Sequence, residues 1–222
     1  MTFGPLSTVT YAVNGVSFDM VRIPPGRLMN GEGRTRRELL VSRPFELGVT
    51  PVTQALWLAV TGLSPARFKC EDRPVEQVSH HDVQAFLFRL SALGLTGFRL
   101  PTEAEWSWAA RCGAPTRWAG ADRSKAVAVV ESSQTAVIAV LSSSAVGALD
   151  LSGNVYEWVC DWHEWLPLAG VDVQGPVVGS SRVLQGGGWS LAPSYARVAL
   201  RDYDTPGFRS SSLGFRLLRT AG

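Results

Sequence analysis

The side chains best suited to metal, redox or nucleophilic chemistry are few: Cys70, Cys112, Cys160, His80, His81 and His163. An odd number of cysteines at wide spacing makes neither a disulfide framework nor a C-x-x-C metal site. Free thiols in a reducing compartment are expected, with one bridge left open. His80 and His81 are adjacent, so on a helix they point to different sides and do not share one ion. They read as helix-start surface or hydrogen-bonded core residues. Glu103 and Glu105 could pair as acid and base, but Glu105 is explained as the last residue of a T-x-x-E capping box begun by Thr102. No G-x-S-x-G nucleophile elbow occurs.

The chain around these residues has ample apolar material. With 222 residues, 45% hydrophobic and 18% charged, it should fold as a single domain spanning 1–222. Its 21 basic and 19 acidic residues, net +2, are interleaved without the basic stripe that would release counterions from a nucleic acid. No nucleic-acid partner is expected. Neither a signal peptide nor a membrane-spanning run is evident, so a cytoplasmic location is the default expectation. Eight Trp and 22 Gly favour a loop-rich fold in which large planar side chains fill an irregular core, rather than forming a binding platform.

The elements that must position any site are partly legible. Residues 8–13 and 16–23 are β-prone and flank Asn14-Gly15, the pair that best tolerates a type I′ turn. Pro24-Pro25-Gly26 ends the second strand, and 44–49 reads as another extended piece. Thr50-Pro51 offers an N-cap with Pro at the first helical position, and Gly62 closes this first helix. Ser79 and Asp82 begin a second helix along the stripe Val83, Phe86, Leu87 and Leu90. Thr102 and Glu105 begin a third, which stops at Gly113. Residues 124–147 carry no strong period and are left unassigned. Short strands are expected at 183–185 and 215–217.

The segments FDMVRIPPGRLMNG (18–31), PFELGVTPVTQALW (44–57), RPVEQVSHHDVQAF (73–86), GFRLPTEAEWSWAARCG (97–113), LDLSGNVYEW (149–158), RVLQGGGW (182–189) and LGFRLL (213–218) occur in an order that resembles the formylglycine-generating-enzyme, or sulfatase-modifying-factor, family. The resemblance implies an α+β, C-type-lectin-like fold, loop-rich, with few helices and short mixed or antiparallel strands, in which N- and C-terminal strands meet. The family's oxidases bind copper through two cysteines separated by four residues, thiolates suited to Cu(I). The matching positions here are Leu191 and Ala196, so no copper and no oxidase activity are expected. The family's iron-dependent branch uses a histidine triad on a helical iron-binding domain, whereas this chain has only His80, His81 and His163 and no room for such a domain.

The same resemblance implies calcium, or another hard cation, held by Asp150, Gly153, Val155 and Glu157. The alternative is a loop whose polar groups simply bond its own backbone. A second family calcium site, falling in 124–147, lacks a counterpart. Between GGGW and GFRL the frame is kept while residues 190–213 depart from the family pattern, as in variable proteins of diversity-generating retroelements. There, randomised Asn codons cannot yield Lys, Glu, Gln, Met or Trp, and none of these occurs from Ser190 to Leu213. The candidate contact residues are Leu191, Ala192, Ser194, Tyr195, Leu200, Asp202, Tyr203, Asp204, Gly207, Phe208, Ser210, Ser211 and Ser212, facing a protein or other macromolecular ligand. Arg197, Arg201 and Arg209 would be frame residues pairing inward. The competing possibility is that Tyr195, Tyr203 and Phe208 are core aromatics. A structural or regulatory domain, or an enzyme of different chemistry, are the other functional readings.

Overall fold

The computed structural model describes residues 6–31, 33–124, 128–138, 146–166 and 168–220. It opens with the expected hairpin, β1 (Thr8–Val13) and β2 (Val16–Ile23). Asn14 (φ 48°) and Gly15 (φ 82°) supply the two left-handed turn residues, and Val13 faces Val16 across the first pair. β5 (Phe45–Gly48) pairs with β2, and the C-terminal β12 (Leu218–Thr220) lies between β5 and β6 (Phe98–Arg99). The resulting five-stranded sheet runs β1-β2-β5-β12-β6, so strands from both ends of the chain meet.

A second sheet is built from β7 (Tyr156–Trp162), β9 (Arg182–Gln185), β10 (Asp202–Asp204) and β11 (Leu213–Phe215), in the order β10-β9-β7-β11. A third joins β3 (Gly26–Asn30), β4 (Arg37–Val41) and β8 (Gly170–Val171). Val183 and Leu184, adjacent on β9 and therefore pointing to opposite faces, enter two different apolar clusters. β9 is thus buried on both faces, which makes it a rigid base for the segment that leaves it after Gln185.

Among the described residues there are three α-helices: α1 (Gln54–Thr61), α2 (His80–Ala92) and α3 (Glu103–Arg111). The capping boxes at Ser79/Asp82 and Thr102/Glu105 are formed as the sequence implies. The start of α1 is a correction. Its N-cap is Thr53, whose hydroxyl accepts from Leu56 N at 3.1 Å, and not Thr50. Val52 explains the delay, because its N–H donates to Phe215 O and its carbonyl accepts from Val75 N, fixing extended backbone there. The stretch 215–217 also differs from expectation: β11 ends at Phe215 and β12 begins at Leu218, with Arg216 turned inward between them.

Indole N–H groups hold loops to this frame. Trp108 donates to Pro24 O (2.7 Å), Trp118 to Pro193 O (2.9 Å), Trp158 to Val78 O (3.0 Å) and Trp189 to Ser211 O (2.9 Å). A buried indole needs such an acceptor, and a loop carbonyl supplies it without a second regular element. Of the expected core tryptophans, Trp165 is the exception, 77% exposed. Parts of 124–147 are also placed: Val129 bridges Gly153, and the Glu131 and Ser132 amides bond Leu191 O and Trp189 O. Residues 125–127 and 139–145 of that stretch lie outside the described residues.

Candidate binding surface

Residues 190–213 leave β9 through Gly186-Gly187-Gly188-Trp189 and return as β11. The segment has little regular structure, yet it is tied down repeatedly. Ala196 and Val198 are buried, and Val198 N donates to Arg117 O at 2.9 Å. β10 pairs with β9, Gln77 N donates to Ser210 O (3.0 Å), and Tyr156 N donates to Ser212 O (2.7 Å). The Arg209 guanidinium forks onto Asp82 at 2.7 and 2.9 Å, and Arg201 pairs with Glu103 at 2.9 Å. Arg197 donates to the nearby Ser194 carbonyl. Arg201 therefore reaches inward, Arg209 stays at the surface, and Arg197 bonds its own loop.

Gly187 is the hinge of this exit. It has φ +76°, and a Cβ there would sit 2.7 Å from Ala196 Cα. Gly187→Ala is expected to cost about 1–3 kcal/mol by combining backbone strain with overpacking. A chemical-denaturation midpoint equal to the wild type would show that the approach of residue 196 is not needed.

None of the thirteen candidate contact residues is buried. Ala192, Ser194, Tyr195, Asp202, Tyr203, Gly207 and Phe208 are exposed, while Leu191, Leu200, Asp204, Ser210, Ser211 and Ser212 are half-buried. Tyr195, Tyr203 and Phe208, at 50, 41 and 42% exposure, are not core aromatics. Leu191 packs partly against the apolar cluster, so its side chain is shared between core and surface. Asp202 faces the Tyr156 hydroxyl, and burial followed by the Asp202 charge pushes Tyr156 above the ordinary phenol range.

Two residues outside the segment join it. Tyr203 lies on the His163 ring with centroids 4.0 Å apart, and Trp165 meets Tyr203 edge-on at 5.8 Å. Sequence reasoning missed both. Trp165 gave no signal that separates it from the buried tryptophans, because exposure of a loop residue depends on what the loop covers.

Beneath the segment lies Glu103, fully buried, with Asn30 Nδ2 at 3.4 Å and Arg201 as its ionic partner. The Glu103 amide donates to Asp161 at 2.6 Å. Burial pushes the Glu103 carboxyl up to about 7; Arg201 opposes this and Asp161 adds to it. A carboxyl whose folded value lies above its unfolded one, 4.5, binds more protons when folded, so its contribution to stability is full below pH 4.5 and is lost as pH rises through 7. Glu103→Gln is expected to flatten the decline in urea midpoint between pH 4.5 and 7.5. An unchanged slope would place the titration elsewhere.

The loop expected to hold a hard cation is arranged differently at its principal ligand. Glu157, fully buried, accepts from Arg216 Nη2 (2.7 Å) and Nε (3.0 and 3.2 Å) and from Trp106 Nε1 (2.7 Å). Its charge and lone pairs are committed to a guanidinium, which corrects its assignment as a ligand. Gly153 N donates to Gly186 O, and Asn154 accepts from Ala136 N through its side chain and from Trp189 N through its carbonyl. The rest of the expected set is Asp150, which is buried with φ 56° and itself engaged, and the carbonyls of Gly153 and Val155. These fall short of the about six to eight oxygens that calcium takes, and among the described residues no three acidic, His or Cys side chains cluster to hold an ion. The residues present do not fit the calcium site that the resemblance implies.

Thiol chemistry is likewise unsupported. At the two positions that the resemblance assigns to the oxidase cysteines, Leu191 is half-buried and Ala196 buried. Cys70, Cys112 and Cys160 are free, and burial pushes Cys112 and Cys160 up to about 12, which keeps both protonated and poor as ligands or nucleophiles.

Among the described residues, three sheets, three helices and a long anchored loop with exposed aromatics define an α+β, C-type-lectin-like fold. The model of the sulfatase-modifying factor enzyme 1-like domain matches residues 10–221, and the chain belongs to that family. The solved Treponema denticola variable protein 1 superposes with a TM-score of 0.89 at 31% identity, over 96% of this chain and 99% of that one. The formylglycine-generating enzyme of Streptomyces coelicolor is 34% identical over 174 residues, 68% of this chain and 54% of the enzyme. The serine/threonine-protein kinase pkn1 of Chlamydia caviae is 38% identical over 128 residues, 54% of this chain and 21% of the kinase. The chain thus spans about half the length of the enzyme and about a fifth of the kinase.

Proposed function

We propose that the chain is a non-catalytic binding module, of the kind diversified by retroelements, in which a hypervariable surface within 190–213 contacts a protein or other macromolecule. One observation carries this reading. The thirteen candidate contact residues all keep solvent exposure, while Ala196, Val198 and Leu213, interspersed among or bordering them, are buried and Arg201 is locked to Glu103. A segment that must tolerate substitution needs this division between a free outer set and a fixed inner one. The likeness to a variable protein over nearly the whole chain supports it. Leu191 and Ala196 in place of two cysteines, with the remaining described thiols held protonated where burial acts on them, support the absence of oxidase chemistry.

The reading has a direct genetic test. Sister copies of the coding segment for 190–213 should differ at adenines of a nearby template repeat, beside a reverse-transcriptase gene. An invariant segment in sister genes and no template would reject diversification. It would favour the second reading, a structural or regulatory domain, which rests on the similarity to part of a kinase.

A further inference from the structure

A pocket opens beside the variable segment, lined by His80 and His81 from the start of α2, Cys160 and Trp162 from β7, Arg182 from β9, and Pro206. All but Pro206 belong to the scaffold. The Arg182 guanidinium lies over the Trp162 ring, 3.5 Å from its centroid, and its Nη1 donates to the Cys160 carbonyl. Its Nε has no hydrogen-bond partner among the described residues. The nearby acids are engaged elsewhere. Asp204, paired with Arg182 across the β9–β10 ladder, accepts from the Thr205 amide (2.8 Å), and Asp161 accepts from the amides of Glu103 (2.6 Å) and Gly175 (2.5 Å). No carboxylate among the described residues forms an ion pair with Arg182.

His80 is the second unsatisfied group. It is only 5% exposed, its ring stands edge-on to Trp158, and Nε2 has no partner among the described residues. Burial, with Arg182 and His81 nearby, holds its pKa down at about 4, so at neutral pH it is an uncharged imidazole able to carry its proton on Nε2. Buried polar atoms of a folded protein are normally bonded, and two unbonded ones on residues that line one pocket point to a ligand that enters between them and bonds them. One unpaired guanidinium beside one neutral N–H donor matches a singly charged, two-oxygen acceptor better than a phosphate dianion.

We infer that the Arg182–His80 pocket is a scaffold-borne carboxylate site that takes an acidic side chain of a peptide ligand. Its two polar groups lie outside 190–213, which contributes Pro206 to the lining, and the site does not depend on the function proposed above, although the Asp204 charge, one strand across from Arg182, would oppose an incoming carboxylate.

The experiment is an NMR titration of the full chain, following the His80 ring and Arg182 Nε resonances, with end-capped Gly-Glu-Gly and with acetate as probes. The capped peptide is expected to shift both resonances saturably and to raise the His80 pKa. Arg182→Gln should weaken it at least about tenfold, Asp204→Ala should tighten it, and Tyr203→Ala should leave it unchanged. His80→Asn, with fold checked by circular dichroism, provides a second loss-of-binding variant should Arg182→Gln disturb β9. Absence of any shift with both probes, or equal binding by the folded variants, overturns the site. Acetate binding as tightly as the peptide overturns the assignment to a peptide side chain. Loss of binding in Tyr203→Ala would move the contact to the variable surface.

Discussion

Replacing Arg216 by Met should cost the folded state about 3–5 kcal/mol, the range for breaking a buried ion pair by removing one partner. Arg216 and Glu157 are both fully buried and joined at 2.7 Å. Arg216 also donates to the carbonyls of Gly48 (2.8 Å), Val49 (2.9 Å) and Leu149 (2.7 Å). One guanidinium thus ties the end of β5, the loop before β7 and the β11–β12 junction. Its loss leaves the Glu157 charge uncompensated and three carbonyls without that donor, against a total stability typically of about 5–15 kcal/mol. The double variant Glu157→Gln/Arg216→Met should recover part of the loss, since the amide oxygen introduced in place of the carboxylate can still accept from Trp106 and no charge is stranded. Urea-unfolding midpoints of the wild type and both variants measure this. A single variant within about 1 kcal/mol of the wild type would mean that the pair is not structural.

The second large effect belongs to recognition rather than stability. Exposed Trp165 and Tyr203, with half-buried His163 between them, form an aromatic group continuous with the 190–213 segment. Aromatic side chains dominate interface energetics because they bury large area at small entropic cost. Trp165→Ala/Tyr203→Ala should weaken a partner selected against the wild-type chain by about 10- to 100-fold, an order of magnitude set by anchors worth about 1–3 kcal/mol. The melting temperature should move by less than about 3 °C, since neither side chain supports the core. Unchanged affinity for every selected partner would place the contact surface elsewhere.

The scaffold was readable where the signal is local. Asn14-Gly15 dictates its turn through backbone sterics, and Ser79/Asp82 and Thr102/Glu105 close their own capping boxes within three residues. What depended on distant partners was not readable. Thr53 displaced Thr50 as a cap because Phe215 and Val75 claim the backbone of Val52. Glu157 was read as a cation ligand because nothing in its neighbourhood reveals that Arg216, 59 residues on, lies against it. Residues 202–204 became a strand only through pairing with β9. The departure of 190–213 from a familiar pattern is visible in the sequence, whereas Trp165 and the Glu103–Arg201 strut emerge only from the packing.

On the proposed function, residues 190–213 separate into replaceable outer positions and a fixed inner frame. A saturation mutational scan of this segment, scored by proteolytic resistance of the displayed chain, tests it most directly. Tolerance of nearly all substitutions at Ala192, Ser194, Tyr195, Asp202, Tyr203, Gly207 and Phe208, with strong loss at Ala196, Val198, Arg201 and Leu213, is the expected result. Loss of resistance spread evenly over both sets would contradict the account.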